Sequence, residues 1–198
     1  MLASLKEAIE AEGGTCDTAV ADLRSCAETG AAIEGLVTKL GGVDALINNA
    51  GLVIRKSTME ITPEEWRTMI ETNVNGTFYA TRAVLPHLKQ QGSGHVVNVS
   101  SISGYMPLKG GSGYAASKHA VVGFSESLFQ EVRELGIKVT TVFPGSVDSA
   151  SHRADAGVAA DWKVKPAEVG EAVLGLLETR SGNVVSRLEI RPLGRPPG

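Results

Sequence analysis

The chain has 198 residues, 42% hydrophobic and 21% charged, with a net charge of −3. That length suits one domain, 1–198, with a sizeable core, and the slightly acidic balance offers no basic footprint for nucleic acid. Cys16 and Cys26 are isolated and His87, His95, His119 and His152 are scattered, so neither a disulfide framework nor a metal site is expected, and a reducing cytoplasm fits. No apolar run approaches the roughly 18 residues that a membrane span requires.

Leu2, Leu5, Ala8 and Ile9 recur at helical spacing, and Gly13-Gly14 stops that helix. Thr15 to Val20 reads as a short strand running into Ala21-Asp22-Leu23, where Asp22 by itself reads as capping or solvating a turn. Ala31 to Leu40 is a helix with Ile33, Leu36, Val37 and Leu40 on one face. Val43 to Ile47 is the next strand. It leaves through Asn48-Asn49-Ala50-Gly51, turn-tolerant residues at a carboxyl end, where open α/β sheets bind ligands. Thr62-Pro63-Glu64-Glu65 has the hydroxyl, early proline and glutamate of a helix start. The helix is long: Trp66, Met69, Ile70, Val74, Phe78, Thr81 and Leu85 mark its inner face, Asn73 lies mid-helix, and Pro86 is a candidate kink.

His95 to Val99 reads as a buried strand, followed by the loop Ser100-Ser101-Ile102-Ser103-Gly104 and a helix from about Gly113. On that helix Tyr114 and Lys118 are four apart, on one face and about 6 Å apart along the axis. A phenol is a poor base at neutral pH. An ammonium about 4 Å away, at an effective dielectric of about 20, favours the phenolate by roughly 4 kcal/mol, enough to bring proton exchange toward pH 7. A hydroxyl such as that of Ser101 can hold a carbonyl or alcohol oxygen beside the phenol. The spacing alone also suits surface packing.

Ala120, Val121, Phe124, Leu128, Val132 and Leu135 form the buried stripe of that helix. Ile137 to Phe143 is a strand, and Pro144-Gly145-Ser146-Val147-Asp148-Ser149 follows it. Ser151 to Lys165 is a polar loop around Asp161-Trp162. Pro166-Ala167-Glu168 starts a last helix with Val169, Val173, Leu176 and Leu177 inward, and Val184 to Ile190 makes a final strand before a Pro-rich tail.

Val-Asn-Val-Ser-Ser-Ile-Ser-Gly followed by Tyr-Ala-Ala-Ser-Lys resembles the active-site signature of the short-chain dehydrogenase/reductase family. Asn48-Asn49-Ala50-Gly51, Asn73-Val74-Asn75-Gly76 and Pro144-Gly145 fall in the same order, so the resemblance spans about Thr15 to Ile190. It implies an α/β fold, a Rossmann-like, doubly wound parallel sheet in a three-layer α/β/α sandwich. It implies hydride transfer between NADP or NAD and a small-molecule carbonyl or secondary alcohol. Tyr114 would be the acid/base, Lys118 the pKa tuner and ribose ligand, and Ser101 the holder of substrate oxygen. Asn73 would distort its helix so that its carbonyl holds a water linking Lys118 to solvent. Asp22 and Leu23 would lie by the adenine, and Asn49, Ala50 and Gly51 by the ribose. Pro144, Gly145, Val147 and Ser149 would approach the nicotinamide. Ser151 to Lys165 would cover substrate, and the helices at 63–91 and 113–135 would pair in a homo-oligomer. The ending Ser186 to Pro192 resembles a branch whose members often use NADP.

The family's opening strand, its turn Thr-Gly-x-x-x-Gly-x-Gly, its first helix and its second strand are not found in the sequence, roughly the 40 to 50 residues of a βαβ unit. The expected sandwich is therefore N-terminally truncated. Its first remaining central strand, Val43 to Ile47, becomes an exposed edge, and either Thr15 to Val20 shifts across to cover it or the region is poorly ordered. A non-catalytic remnant that folds or pairs without cofactor stays open as an alternative. A serine hydrolase using Ser101 and Lys118 is disfavoured, since no Gly-x-Ser-x-Gly surrounds Ser101.

Overall fold

The β-branched run ending at Val99 becomes one of four parallel strands in a computed structural model, which describes residues 2–149 and 161–194. The strands are β1 (Ala45–Asn48), β2 (Gly94–Val99), β3 (Ile137–Pro144) and β4 (Arg187–Ile190), in the order β1-β2-β3-β4. Ala45 stands opposite His95, Val96 opposite Val139 and Val142 opposite Leu188. The helices are α1 (Leu2–Ala11), α2 (Cys26–Leu40), α3 (Pro63–Ile70), α4 (Gly76–Gln91), α5 (Ser112–Val132) and α6 (Pro166–Leu177).

Successive strand residues face opposite sides of a sheet, so β2 feeds two cores. Val96 packs with Val84 and Leu88 of α4 and with Leu128 and Val132 of α5, and Ile33 of α2 lies beside them. Val97 packs on the other side, against Val142 and Leu176 of α6. Helices thus cover both faces of the parallel sheet, the three-layer Rossmann-like arrangement.

Several elements differ from the sequence reading. Thr15–Val20 forms no strand and does not cross over to β1, whose outer edge no described residue joins. A strand exists through hydrogen bonds to a neighbour, and this segment has none within reach; its anchor is the ion pair of Asp17 with Lys39 near the end of α2, 2.9 Å long. The helix expected from Ala31 begins at Cys26, because the Ser25 hydroxyl accepts the Glu28 N–H and caps it there. The long helix from Thr62 has the expected capping box, but a π-helical turn, Glu71–Asn75, divides it into α3 and α4.

Its inner face differs in part from the expected stripe. Met69 and Thr81 are buried as expected, but Trp66 and Phe78 are 43% and 45% exposed, and Asn73, Thr77 and Ala80 are buried instead. The smaller stripe faces inward because it can come close: a Cβ on Gly76 would stand 3.2 Å from Leu23. On α5, Val121, Leu128 and Val132 are buried as expected, but Ala120 is exposed, as is Leu135 in the 3-10 turn Arg133–Leu135 that follows; on α6 Leu177 is exposed too.

Polar groups on the inward stripe are satisfied by a buried chain of hydrogen bonds. The Thr77 hydroxyl donates to the Asn73 carbonyl at 2.8 Å and the Thr81 hydroxyl to the Thr77 carbonyl at 2.7 Å. The Asn48 amide donates to Thr81 Oγ1 and to Asn98 Oδ1, and the Asn98 amide donates to Ser125 Oγ on α5. Asn98 is fully buried. Asn98→Leu leaves Asn48 and Ser125 each short of a partner, so the urea midpoint is expected to fall by the equivalent of about 2–4 kcal/mol. A loss below about 1 kcal/mol would show that the chain of bonds does not hold the helices to the sheet.

Candidate active site

Parallel strands deliver their carboxyl ends to one edge of the sheet. Here the exits of β1, β2 and β3 meet the first turns of α5 around a cleft of about 540 Å³, a size suited to small molecules. Asn49, Gly51, Ser101, Tyr114, Lys118, Pro144, Gly145, Val147 and Ser149 all line it. Ile47, Val53, Pro166, Val169 and Val173 complete apolar walls. Val169 and Val173 were readable as inward residues of α6, but no local pattern marks them as belonging to a site with Tyr114 and Lys118, some fifty residues earlier in the chain.

Tyr114 and Lys118 sit on one face of α5, both buried. Lys118 Nζ lies 5.9 Å from the Tyr114 ring centroid and donates to the Val99 carbonyl at 2.8 Å. Burial lowers its pKa from the ordinary 10.5 to about 8. Ser101 is 6% exposed, and its Oγ accepts the Ser103 N–H at 3.1 Å, which caps the 3-10 turn Ile102–Gly104. The neighbouring Ser100 hydroxyl donates to the Lys118 carbonyl at 3.0 Å and ties β2's exit to α5.

Asn73 does not line the cleft; it holds the cleft wall. Its Oδ1 accepts the Leu52 N–H at 2.7 Å, and its amide donates to the Leu52 carbonyl and to Ser117 Oγ, each at 2.9 Å. A Cβ on Gly51 would lie 3.4 Å from Asn73 Oδ1 and 3.5 Å from Lys118 Nζ, so the wall passes directly over both side chains. The Asn73 carbonyl accepts the Thr77 hydroxyl, which occupies one of its two lone pairs. Ser117 was missed by sequence reasoning; its position beside Lys118 on the inward face of α5 was the available signal.

Three expected ligand residues lie apart from the cleft. Leu23 and Ala50 line a smaller void of about 210 Å³ between α4 and β1, with Asn49 shared by both spaces. Asp22 lines neither. It accepts the Arg24 N–H and pairs with the Arg24 guanidinium at 2.6 Å, which holds its carboxyl at a pKa of about 2. The turn-capping alternative for Asp22 is the one its geometry matches. Residues 150–160, most of the expected substrate-covering segment, and 195–198 of the tail lie outside the described residues. Among the described residues no group of His, Cys, Asp or Glu is placed to hold a metal, and no helix is long and apolar enough to cross a membrane.

Residues 1–157 match the family model described as short chain dehydrogenase. The chain belongs to that family. It is 34% identical over 177 residues to an uncharacterized oxidoreductase of Staphylococcus saprophyticus, covering 89% of this chain and 75% of that one. It spans 66% of the length of Staphylococcus aureus relatives. Among solved structures, an alcohol dehydrogenase from the archaeon Thermococcus sibiricus complexed with 5-hydroxy-NADP superposes with a TM-score of 0.90 at 25% identity, covering 100% of this chain and 83% of that one. A gluconate 5-dehydrogenase from Burkholderia cenocepacia in complex with NADP and tartrate superposes with a TM-score of 0.88 at 26% identity, covering 96% and 79%.

The residues that line the cleft are compatible with a nicotinamide cofactor. Lys118 offers donors, Asn49 and Ser149 add polar side chains, and Gly51 leaves exposed backbone bare for close approach. At Gly145 a Cβ would come 3.2 Å from Pro192 and 3.3 Å from the Ile190 carbonyl oxygen, so a larger residue would displace β4's exit. The diphosphate has no Gly-rich cradle among the described residues.

Proposed function

We propose that this chain is an oxidoreductase domain that interconverts a carbonyl and a secondary alcohol with NADP(H), and less tightly with NAD(H). One observation carries the reading: Lys118 is buried beside Tyr114 at the carboxyl end of the sheet with no ion pair among the described residues, a costly arrangement that folding alone does not call for. A nicotinamide bound in the cleft would supply or accept the hydride. In reduction, the Ser101 hydroxyl would hold the substrate oxygen and the Tyr114 hydroxyl would give it a proton as negative charge develops there. The Lys118 ammonium would stabilise the phenolate left on Tyr114 and offer hydrogen bonds to ribose hydroxyls. Asn73 would keep the Gly51-Leu52 wall against Lys118 and anchor the proton path.

The proposal extends to a cytoplasmic homo-oligomer formed through the helices at 63–91 and 113–135. Phe78 of α4 and Phe124 of α5, ring centroids 6.2 Å apart, line an outward groove of about 440 Å³ on this face. The outer edge of β1, which no described residue joins, favours a second reading, a chain that folds or pairs without binding cofactor.

Titration of NADPH and NADH into the purified 198-residue chain, followed by nicotinamide fluorescence, separates the two. Saturable binding at micromolar concentration is expected, tighter for NADPH. Absence of saturable binding by a chain whose circular dichroism shows it folded would favour the second reading.

A further inference from the structure

Ser101 opens the one-turn 3-10 helix Ile102–Gly104, and the far end of that turn is held by a distant part of the chain. Tyr105, the next residue, donates its hydroxyl to Glu189 Oε2 at 2.6 Å and accepts from Arg191 at 2.5 Å. Arg191 also pairs with Glu189 and touches Met106 Sδ at 3.2 Å. The Tyr105 ring stands edge-on to the buried Phe143 of β3, centroids 5.4 Å apart. Glu189 and Arg191 flank Ile190, the last residue of β4, whose carbonyl accepts the Gly145 N–H at 2.8 Å. On its other side the turn presses on α5: a Cβ at Gly104 would stand 2.5 Å from Ser100 Oγ and 3.0 Å from the Lys118 carbonyl oxygen.

We infer that Tyr105, Glu189 and Arg191 form a clasp that positions Ser101 for the substrate oxygen. The inference rests on the role given to Ser101 above, and it makes the exit of β4 part of the scaffold of the site. A single 3-10 turn has poor hydrogen-bond geometry and does not by itself hold a hydroxyl to the few tenths of an ångström that a directed hydrogen bond needs. Gly104 sets how near the turn lies to Lys118, and the clasp prevents it from swinging about that contact. The ion pair of Glu189 with Arg191 is half-exposed and weak alone. The Tyr105 oxygen joins both charged groups to the turn, so removing that one atom uncouples them together.

The test uses the full chain carrying Tyr105→Phe, which deletes the oxygen and keeps the ring against Phe143. Amide hydrogen exchange at residues 103–106 is expected to be about tenfold faster, with the amides of β2 and α5 unchanged. For the carbonyl compound that the wild-type chain reduces fastest, kcat is expected to fall about tenfold at unchanged affinity for NADPH, and adding Glu189→Gln to Tyr105→Phe should lower it little further. Unchanged exchange at 103–106, equal acceleration throughout the sheet, or an unchanged kcat would overturn the clasp. If the wild-type chain reduces no carbonyl, the role given to Ser101 fails, and the exchange result still decides whether the clasp orders the turn.

Discussion

Replacing Tyr114 by phenylalanine is expected to lower carbonyl reduction by about 10²–10⁴-fold, the range that a positioned general acid contributes, and to leave the fold in place. Phenylalanine keeps the ring that packs at the head of α5 and removes only the oxygen. No other described side chain lining the cleft carries both an ionisable proton and a place beside Lys118. The fall should appear in kcat at every pH, since no neighbouring group can take over the transfer. The control is the affinity for NADPH, expected to change less than about threefold, since a phenol offers one hydrogen bond among several. Turnover within about tenfold of the parent chain would remove Tyr114 from the chemistry.

Replacing Lys118 by methionine is expected to abolish turnover and, at pH 7, to raise stability. The ammonium is buried, and burial lowers its pKa from 10.5 to about 8. Below about pH 8 the group is charged in both the folded and unfolded chains, and the folded chain carries the whole cost of burying the charge. Between about pH 8 and 10.5 the folded chain has lost the proton while the unfolded chain keeps it, so stability rises with pH through that window. The separation corresponds to about 3 kcal/mol at roughly 1.4 kcal/mol for each tenfold change.

Methionine removes that cost but leaves the Val99 carbonyl without the donor now 2.8 Å away. The loss offsets about 1 kcal/mol, so the net gain at pH 7 is about 2 kcal/mol, or about 4–8 °C in Tm for a chain of this size. The gain should shrink toward zero as the pH approaches 10. A variant less stable than the parent at pH 7 would mean that the ammonium is compensated in the fold, and the argument for a functional Lys118 would lose its support.

Much of the cleft was legible because residues that line it stand in short, local spacings. Tyr114 and Lys118 share a helical face, Ser101 follows a β-branched strand, and Gly51 and Gly145 end strands whose apolar character is plain. Fold class was legible for the same reason, as alternating strands and amphipathic helices repeat along the chain. The readings that failed depended on a partner. Thr15–Val20 has strand-like composition and no strand to bond to. Trp66 and Phe78 are apolar enough for a core, yet the helix turns its smaller, polar side inward because Asn48, Leu52 and Ser117 satisfy it there.

By itself, then, the sequence determined the order of elements, the family to which the chain belongs and the cluster of groups at the end of β2 and the start of α5, because each is written in neighbours a few residues apart. Only the tertiary structure decided which face of α4 is buried, that the Asn73 side chain grips Leu52, and that Tyr105 meets Glu189 and Arg191. Those choices are made by hydrogen bonds and close contacts between segments far apart in the chain, where the periodicity of either segment carries no information about the other.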